Sequence, residues 1–197
     1  MTFPAFLELV SARRGHFQLE SGHHGALWLD LDPLFTDPRG AQPFVAALTE
    51  AIRPHRVTAV CGPLLGGAFL AQLVARALDA QFLYTERAMP DGGDALYRAR
   101  YALPLALAAR VRGQRVAMVD DVMSAGSALR ATYTELLAHG ANPVVAGALL
   151  VLGSTGVDYF AAQDVPVERV LREDYELWPP ETCPLCVASV PLEDNRT

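Results

Sequence analysis

The 197-residue chain contains no lysine, and all 16 of its basic side chains are arginine. Composition bias in the genome accounts for such a loss without any functional cause. The chemical consequence is firm all the same. Any cation that works in a site here is Arg or His, and arginine cannot give up its proton near neutral pH. Cysteine is scarce as well, at Cys61, Cys183 and Cys186 only. So small and odd a number fits a reducing compartment, and a cytoplasmic protein is expected rather than a disulfide-stapled secreted one. No window approaches the ~18 uninterrupted apolar residues of a membrane span. The opening "MTFPAFLELVSARRG" carries Glu8 within its apolar stretch and has no cleavage-type segment. A net charge of −6 argues against a broad nucleic-acid footprint, and no basic helix-turn-helix segment is visible. A local pocket for anions stays compatible with that charge.

Hydrophobic residues make up 51% and charged residues 19%, which describes a globular chain with enough apolar material for one well-buried domain. Phe6, Leu9 and Val10 have helical spacing, with Gly15 as a stop. "FQLE" and "ALWLDLD" alternate as a short antiparallel pair joined by "SGHHG". Phe44, Val45, Leu48 and Ile52 predict a second helix, closed by Pro54. Buried strands are expected at Val57–Gly62, in "QFLYTE", in "RVAMVDDV" and in "PVVAGALLVLG". Helical stripes follow at Phe69, Leu70, Leu73, Val74 and Ala77, and again at Leu129, Tyr133, Leu136 and Leu137. A short helix near Val157–Ala162 and a strand around Pro166–Leu171 come last. Apolar strands alternating with amphipathic helices predict an α/β fold with a parallel sheet covered on both faces. The stretch from Arg87 to Gly113 is less regular, and part of it reads as a hairpin or mobile flap. No repeat or linker interrupts the chain, so a single domain over 1–197 is expected.

One segment carries chemistry: "RVAMVDDVMSAGSALRA". Ligands of open α/β sheets bind beyond the carboxyl ends of the strands. Asp120 and Asp121 sit at such an end, and a turn of small residues then opens a helix. Small side chains let an anion approach the backbone N–H groups at a helix N-terminus, and Ser124 and Ser127 add hydroxyls. That is a cup for a phosphate monoester. Two carboxylates beside it would repel phosphate unless they face something else, and the vicinal hydroxyls of a ribose fit. A bare strand end with a capping residue explains the same letters without a ligand. It is not a Walker loop, since no Gly-Lys-Ser/Thr is present.

These residues resemble the phosphoribosyl pyrophosphate signature of the type I phosphoribosyltransferases. "GHFQLESGHHGALWLDLD", "VTAVCGPLLGGAFLAQLVARAL" and "CPLCVASVPLED" resemble, in order, the opening hairpin, pyrophosphate loop and C-terminal tail of the orotate phosphoribosyltransferase family. The resemblance implies that family's fold: a central, mostly parallel sheet flanked by helices. A small hood from about 1–35 plus the tail, a core of about 36–175 and a flexible loop go with it. It implies displacement of pyrophosphate from C1 of the ribose by a nitrogen of a base, nominally orotate, in pyrimidine nucleotide biosynthesis. The same chemistry on another base, or a non-catalytic sensor of phosphoribosyl pyrophosphate, are the alternatives.

Residue by residue, the resemblance implies that Asp120 and Asp121 hold the 2- and 3-hydroxyls. Ser124, Ala125, Gly126 and Ser127 cradle the 5-phosphate through backbone N–H groups, and Val122, Met123 and Ala128 belong to the same phosphoribosyl pyrophosphate site. Gly62, Gly66 and Gly67 form the pyrophosphate loop, with the alternative that they serve tight strand-to-helix packing. Arg87 joins the pyrophosphate site, and Arg98 and Arg100 stand where the family's loop normally carries lysines. His24, Ser124 and Ser154 are the candidates for the base. Mg²⁺ would ride on the substrate oxygens, with no protein ligand assigned. Small-molecule substrates and a homodimer are expected, with neither nucleic acid nor membrane as partner.

Two departures from the family pattern stand out. Gly153-Ser154 occupies the place of an acid–Arg pair that would meet the orotate carboxylate, and His23-His24 replaces a cation followed by Ser and Pro. Cys183 and Cys186 make one CxxC, half of a zinc site. His16, His23, His24, His55 and His139 offer no metal spacing with it along the chain, so the motif reads as structural, and "ELWPPET" as a packed segment.

Overall fold

The computed structural model describes residues 1–88, 96–97 and 99–193. Its centre is a six-stranded sheet. In chain order the strands are β3 (Ala59–Pro63), β4 (Gln81–Ala88), β5 (Arg100–Ala102), β6 (Arg115–Met123), β7 (Asn142–Leu152) and β8 (Val167–Glu173). In space they run β5-β4-β3-β6-β7-β8, all parallel except β5, which returns antiparallel along β4. Helices α3 (Gly66–Leu78), α5 (Ser127–Ala138) and α6 (Thr155–Ala161) are the crossovers between parallel neighbours. From β3 the chain moves outward to β4, then comes back to lay β6 on the other side of β3. The β3/β6 boundary is therefore the topological switch point, where such sheets open a crevice.

Side-chain alternation divides the core. Ala117 and Val119 of β6 pack with Leu48, Ile52, Leu70 and Val74, from α2 (Pro38–Ile52) and α3. Val116 and Met118 pack on the other face with Leu129, Leu136 and Phe160, from α5 and α6. With both faces covered, β7 needs no polar alternation, and it is buried almost throughout.

A separate two-stranded hairpin, β1 (Ser11–Gln18) and β2 (His24–Asp30), forms the hood. The first helix, α1 (Phe3–Leu7), is shorter than its apolar spacing predicts. Val10 and Gly15 lie beyond it, Gly15 within β1, because this segment gains more from pairing with β2 than from extending one turn of helix. The irregular stretch after Arg87 is a hairpin in part, with Glu86, Arg87 and Ala88 opposite Ala102, Tyr101 and Arg100. A short α4 (Leu105–Ala108) follows it, and α7 (Pro184–Val187) ends the described tail. Among the described residues no helix is long and apolar enough to cross a membrane.

Candidate active site

β6 pairs with β3 only as far as Cys61 opposite Met118, yet continues beside β7 to Met123. Asp120 and Asp121 lie just past the point where β3 departs. They were expected at the strand's end; in fact β7 carries the strand two residues further, and the loss of β3 creates the opening. The turn from Ser124 to Gly126 then leads into α5. Gly126 has φ +74°, a left-handed conformation that glycine adopts without strain. The backbone N–H of Gly156 donates to the Ser124 carbonyl at 3.0 Å and pins the turn from below.

The helix ends distinguish this site from the rest of the fold. Among the described residues three helices exceed eight residues: α2, α3 and α5. The first turn of any α-helix leaves N–H groups without intrahelical partners. In α2 the Asp37 carboxylate accepts from Arg39 N–H at 3.0 Å. No side chain caps α3 or α5. These two begin on either side of the crevice, so donors and helix-dipole charge are both left to a ligand.

The glycines of the β3–α3 turn make room for the acids. A Cβ on Gly66 would stand 1.9 Å from Asp121 Oδ2, and one on Gly67 would stand 2.7 Å from Asp120 Oδ1. Gly62 answers a different need, since its Cβ would meet the Gly67 carbonyl oxygen at 1.9 Å. That is the tight strand-to-helix packing left open by the sequence. Each carboxyl accepts from the main chain: Asp121 N–H donates to Asp120 Oδ1 at 3.1 Å, and Val122 N–H to Asp121 Oδ1 at 2.7 Å. No described cation pairs with either. Burial and its acidic neighbours Asp121 and Glu20 hold Asp120 well above the usual carboxylate range. Burial pushes Asp121 up to about 6, although the Val122 N–H works against it. An acid pair with no described cation beside it is costly to keep in a fold. It makes sense where a ligand supplies hydroxyl donors or positive charge.

Asp120, Val122 and the turn from Ser124 to Ala128 line one side of a crevice of about 220 Å³. The opposite wall comes from the hood and from Tyr175 in the tail; Glu20, Trp28 and Leu29 contribute to it. Sequence reading did not single out any of these four. Glu20 is tied into the loop hairpin: Tyr101 Oη donates to Glu20 Oε1 at 3.0 Å, and Arg87 Nη1 lies 3.7 Å from the same oxygen. Arg130 was missed as well. Its guanidinium stands 4.2 Å from the ring centroids of both Tyr97 and Tyr159 and donates from Nη2 to the Thr155 carbonyl at 2.9 Å. Its Nε is buried without a partner. Arg130 sits one turn into α5, at the helical spacing from Ser127 that could have drawn attention to it.

Other candidates fall elsewhere. Met123 is buried in the core, so only its main chain can face the turn. Ser154 is exposed at the start of α6 and does not line the crevice, and Gly153 is explained by φ +70° and by the Tyr175 carbonyl 2.5 Å from where its Cβ would be. Arg100 borders a neighbouring cavity that shares Ser127 with the crevice. Arg98 lies outside the described residues. His24 is buried against His16 and Cys186 and does not line the crevice. The absence of metal spacing between the CxxC and the histidines does not survive folding. Gln18 opposes His24 across the hairpin, so His16 is the diagonal neighbour of His24 on one face, and both meet Cys183 and Cys186. Trp178 of "ELWPPET" packs as expected, bridging to His24 through paired main-chain hydrogen bonds.

Residues 44–171 match the phosphoribosyl transferase domain family. The orotate phosphoribosyltransferase of Thermotoga maritima is 32% identical over 179 residues, covering 91% of this chain and 88% of its own. That of Thermus thermophilus is 34% identical over 181 residues, 91% of each chain. Among solved structures, the orotate phosphoribosyltransferase from Aeropyrum pernix superposes with TM-score 0.65 at 22% identity, over 86% of this chain and 92% of the other. The adenine enzyme of Giardia lamblia, complexed with 9-deazaadenine, gives 0.67 at 18%, over 88% and 98%. Identity that low supports the fold alone, and the fold agrees: a mostly parallel sheet between helices. The sequence relatives go further, and on them the chain belongs to the orotate phosphoribosyltransferase family, within the type I phosphoribosyltransferases.

Proposed function

We propose that this chain transfers the phosphoribosyl group of 5-phosphoribosyl 1-pyrophosphate to a ring nitrogen of orotate, giving orotidine 5-monophosphate and pyrophosphate for pyrimidine nucleotide synthesis. The C1–oxygen bond to pyrophosphate breaks as the C1–nitrogen bond forms, through an oxocarbenium-like transition state. One observation carries the reading: an uncapped helix start beside a pair of acids, one half-buried and one buried, that no described cation pairs with, at the switch point. Asp120 and Asp121 accept from the ribose hydroxyls, and their negative charge favours the positive charge that develops on the sugar. Main-chain N–H groups of Ser124, Ala125, Gly126 and Ser127 hold the 5-phosphate. The start of α3 at Gly66 and Gly67 faces the pyrophosphate, with Arg87 beside it.

Mg²⁺ fits this donor set, since both acids offer hard carboxylate oxygens with which no described cation pairs. Bound on the substrate's oxygens, it would neutralise the leaving group, with Asp120 and Asp121 on the ribose side. The loop hairpin closes over the site, in a homodimer, and excludes water from the reactive cation. Arg98 and Arg100 supply charge there; as arginines they stabilise pyrophosphate without donating a proton to it. The base carboxylate needs a cation that Gly153-Ser154 does not give. Arg130 does not line the crevice: it borders the neighbouring cavity, where its guanidinium lies between Tyr97 and Tyr159 and donates to the Thr155 carbonyl.

The test is turnover with phosphoribosyl pyrophosphate, Mg²⁺ and a panel of bases. Pyrophosphate release with orotate alone is the expected result. Release with another base alone would transfer the same chemistry to that base. Thermal stabilisation by phosphoribosyl pyrophosphate without turnover on any base would make the chain a sensor and overturn the reading.

A further inference from the structure

We propose that His16, His24, Cys183 and Cys186 form a closed, structural Zn²⁺ site that clasps the C-terminal tail to the hood. The four ligand atoms lie within 4.8 Å of one another. His16 Nε2 is 2.9 Å from His24 Nδ1, 3.4 Å from Cys183 Sγ and 3.7 Å from Cys186 Sγ, and Cys186 Sγ is 3.3 Å from His24 Nδ1. Zinc binds nitrogen at about 2.0–2.1 Å and sulfur at about 2.3 Å in a tetrahedron, which sets nitrogen–nitrogen edges near ~3.3 Å and nitrogen–sulfur edges near ~3.5 Å. The four edges given need shifts of only a few tenths of an ångström, and the widest separation in the cluster, at most 4.8 Å, closes with a movement of about 1 Å.

Hydrogen bonding alone does not explain the cluster. His16 Nδ1 is 2.7 Å from the Val190 carbonyl, which can only accept, so Nδ1 carries the proton and Nε2 bears a single lone pair. Three polar atoms converge on that one lone pair. A cation at their centre uses the His16 and His24 lone pairs and both sulfurs at once. The Val190 contact is then the outer partner that fixes the tautomer of a metal-bound histidine. His16, His24 and Cys183 are buried, so water does not reach them to substitute. With four protein ligands no position remains open for catalysis, which marks the site as structural.

The tail also needs such a tie. Its single-turn elements, Pro180–Thr182 and α7, bury no residue of their own. Segments with too little core are the ones that metals stabilise. What the clasp secures is one wall of the crevice, because the hood contributes Glu20, Trp28 and Leu29, and the tail contributes Tyr175.

Metal content of the whole chain, purified under reducing conditions with Zn²⁺ supplied, tests this without reference to turnover. One tightly held Zn²⁺ per chain is expected. Cys61→Ser should keep it, and Cys186→Ser, at an exposed position that tolerates change, should lose it. Replacement by Co²⁺ should give the visible absorption of a tetrahedral sulfur-ligated ion. A chelator should lower Tm, with recovery on adding Zn²⁺ but not Mg²⁺. A chain without tightly held zinc, a Cys183–Cys186 disulfide under those conditions, or equal metal in the Cys183→Ser/Cys186→Ser double variant would each overturn the proposal.

Discussion

The two walls of the crevice are built in opposite ways. The floor comes from one short run of chain, Asp120 to Ala128, seven of whose nine residues line the crevice. Its geometry follows from a strand that outruns its neighbour, a glycine at φ +74° and an uncapped helix. The facing wall is assembled from the hood and from a tail some 160 residues away, joined by His16, His24, Cys183 and Cys186. A local device tolerates drift elsewhere in the chain, because its donors are main-chain atoms. A long-range one depends on every element that brings it together. Damage to the floor should therefore remove chemistry and spare the fold, while damage to the clasp should weaken the fold and impair chemistry only through it.

Asp120→Asn and Asp121→Asn give the largest effect. Each loses charged acceptors for the ribose, and kcat/KM should fall by about 100-fold or more. Stability should move the other way. A carboxyl whose folded pKa is raised opposes folding once it ionises, so the free chain loses stability as pH rises from about 4 through about 6. Removing that charge at Asp121 should stabilise the chain by about 1–3 kcal/mol at neutral pH and flatten the pH dependence. Affinity for phosphoribosyl pyrophosphate should climb over the same pH range, since the ionised acids accept the hydroxyls. Titration calorimetry and melting across pH 4.5–8 read both signs. A variant that is both inactive and less stable would erase the contrast between the walls.

Gly66→Ala comes next. Its methyl would collide with Asp121 Oδ2, and moving that carboxyl should cost about 10–100-fold in kcat/KM. Steady-state kinetics alongside a melting curve separates this from unfolding. Arg130→Met should lower Tm by a few degrees, since the guanidinium loses the Thr155 carbonyl and both tyrosine faces, and should leave both KM values little changed. A rise in KM for orotate alone would place this cation at the base instead. For stability, Arg87→Ala is the smallest perturbation. Its ion pair with Glu20 is long and largely exposed, so Tm should stay within about 2 °C.

The same contrast explains what could be read from the chain. Apolar runs and helical stripes predicted β3, β6, β7, α3 and α5 nearly to their ends, and the C-terminal part of α2, whose first turns from Pro38 precede the stripe at Phe44, since burial on both faces writes itself into hydrophobic spacing. The phosphate turn was legible because small residues, two acids and a helix start stand next to one another. Arg130 was not, since its approach to Thr155 depends on how α5 lies against α6. Glu20 and Tyr175 carry no local signal of the crevice they line. His24 was expected near the base and is found in the clasp.

The sequence by itself determined the layered fold and the acidic phosphate-binding turn, because both rest on periodicity and on main-chain geometry among neighbours. Only the tertiary structure decided that the hairpin's diagonal histidine pair meets a distant CxxC. The register of two strands and the path of a tail with little core bring those side chains together, and no spacing along the chain encodes either.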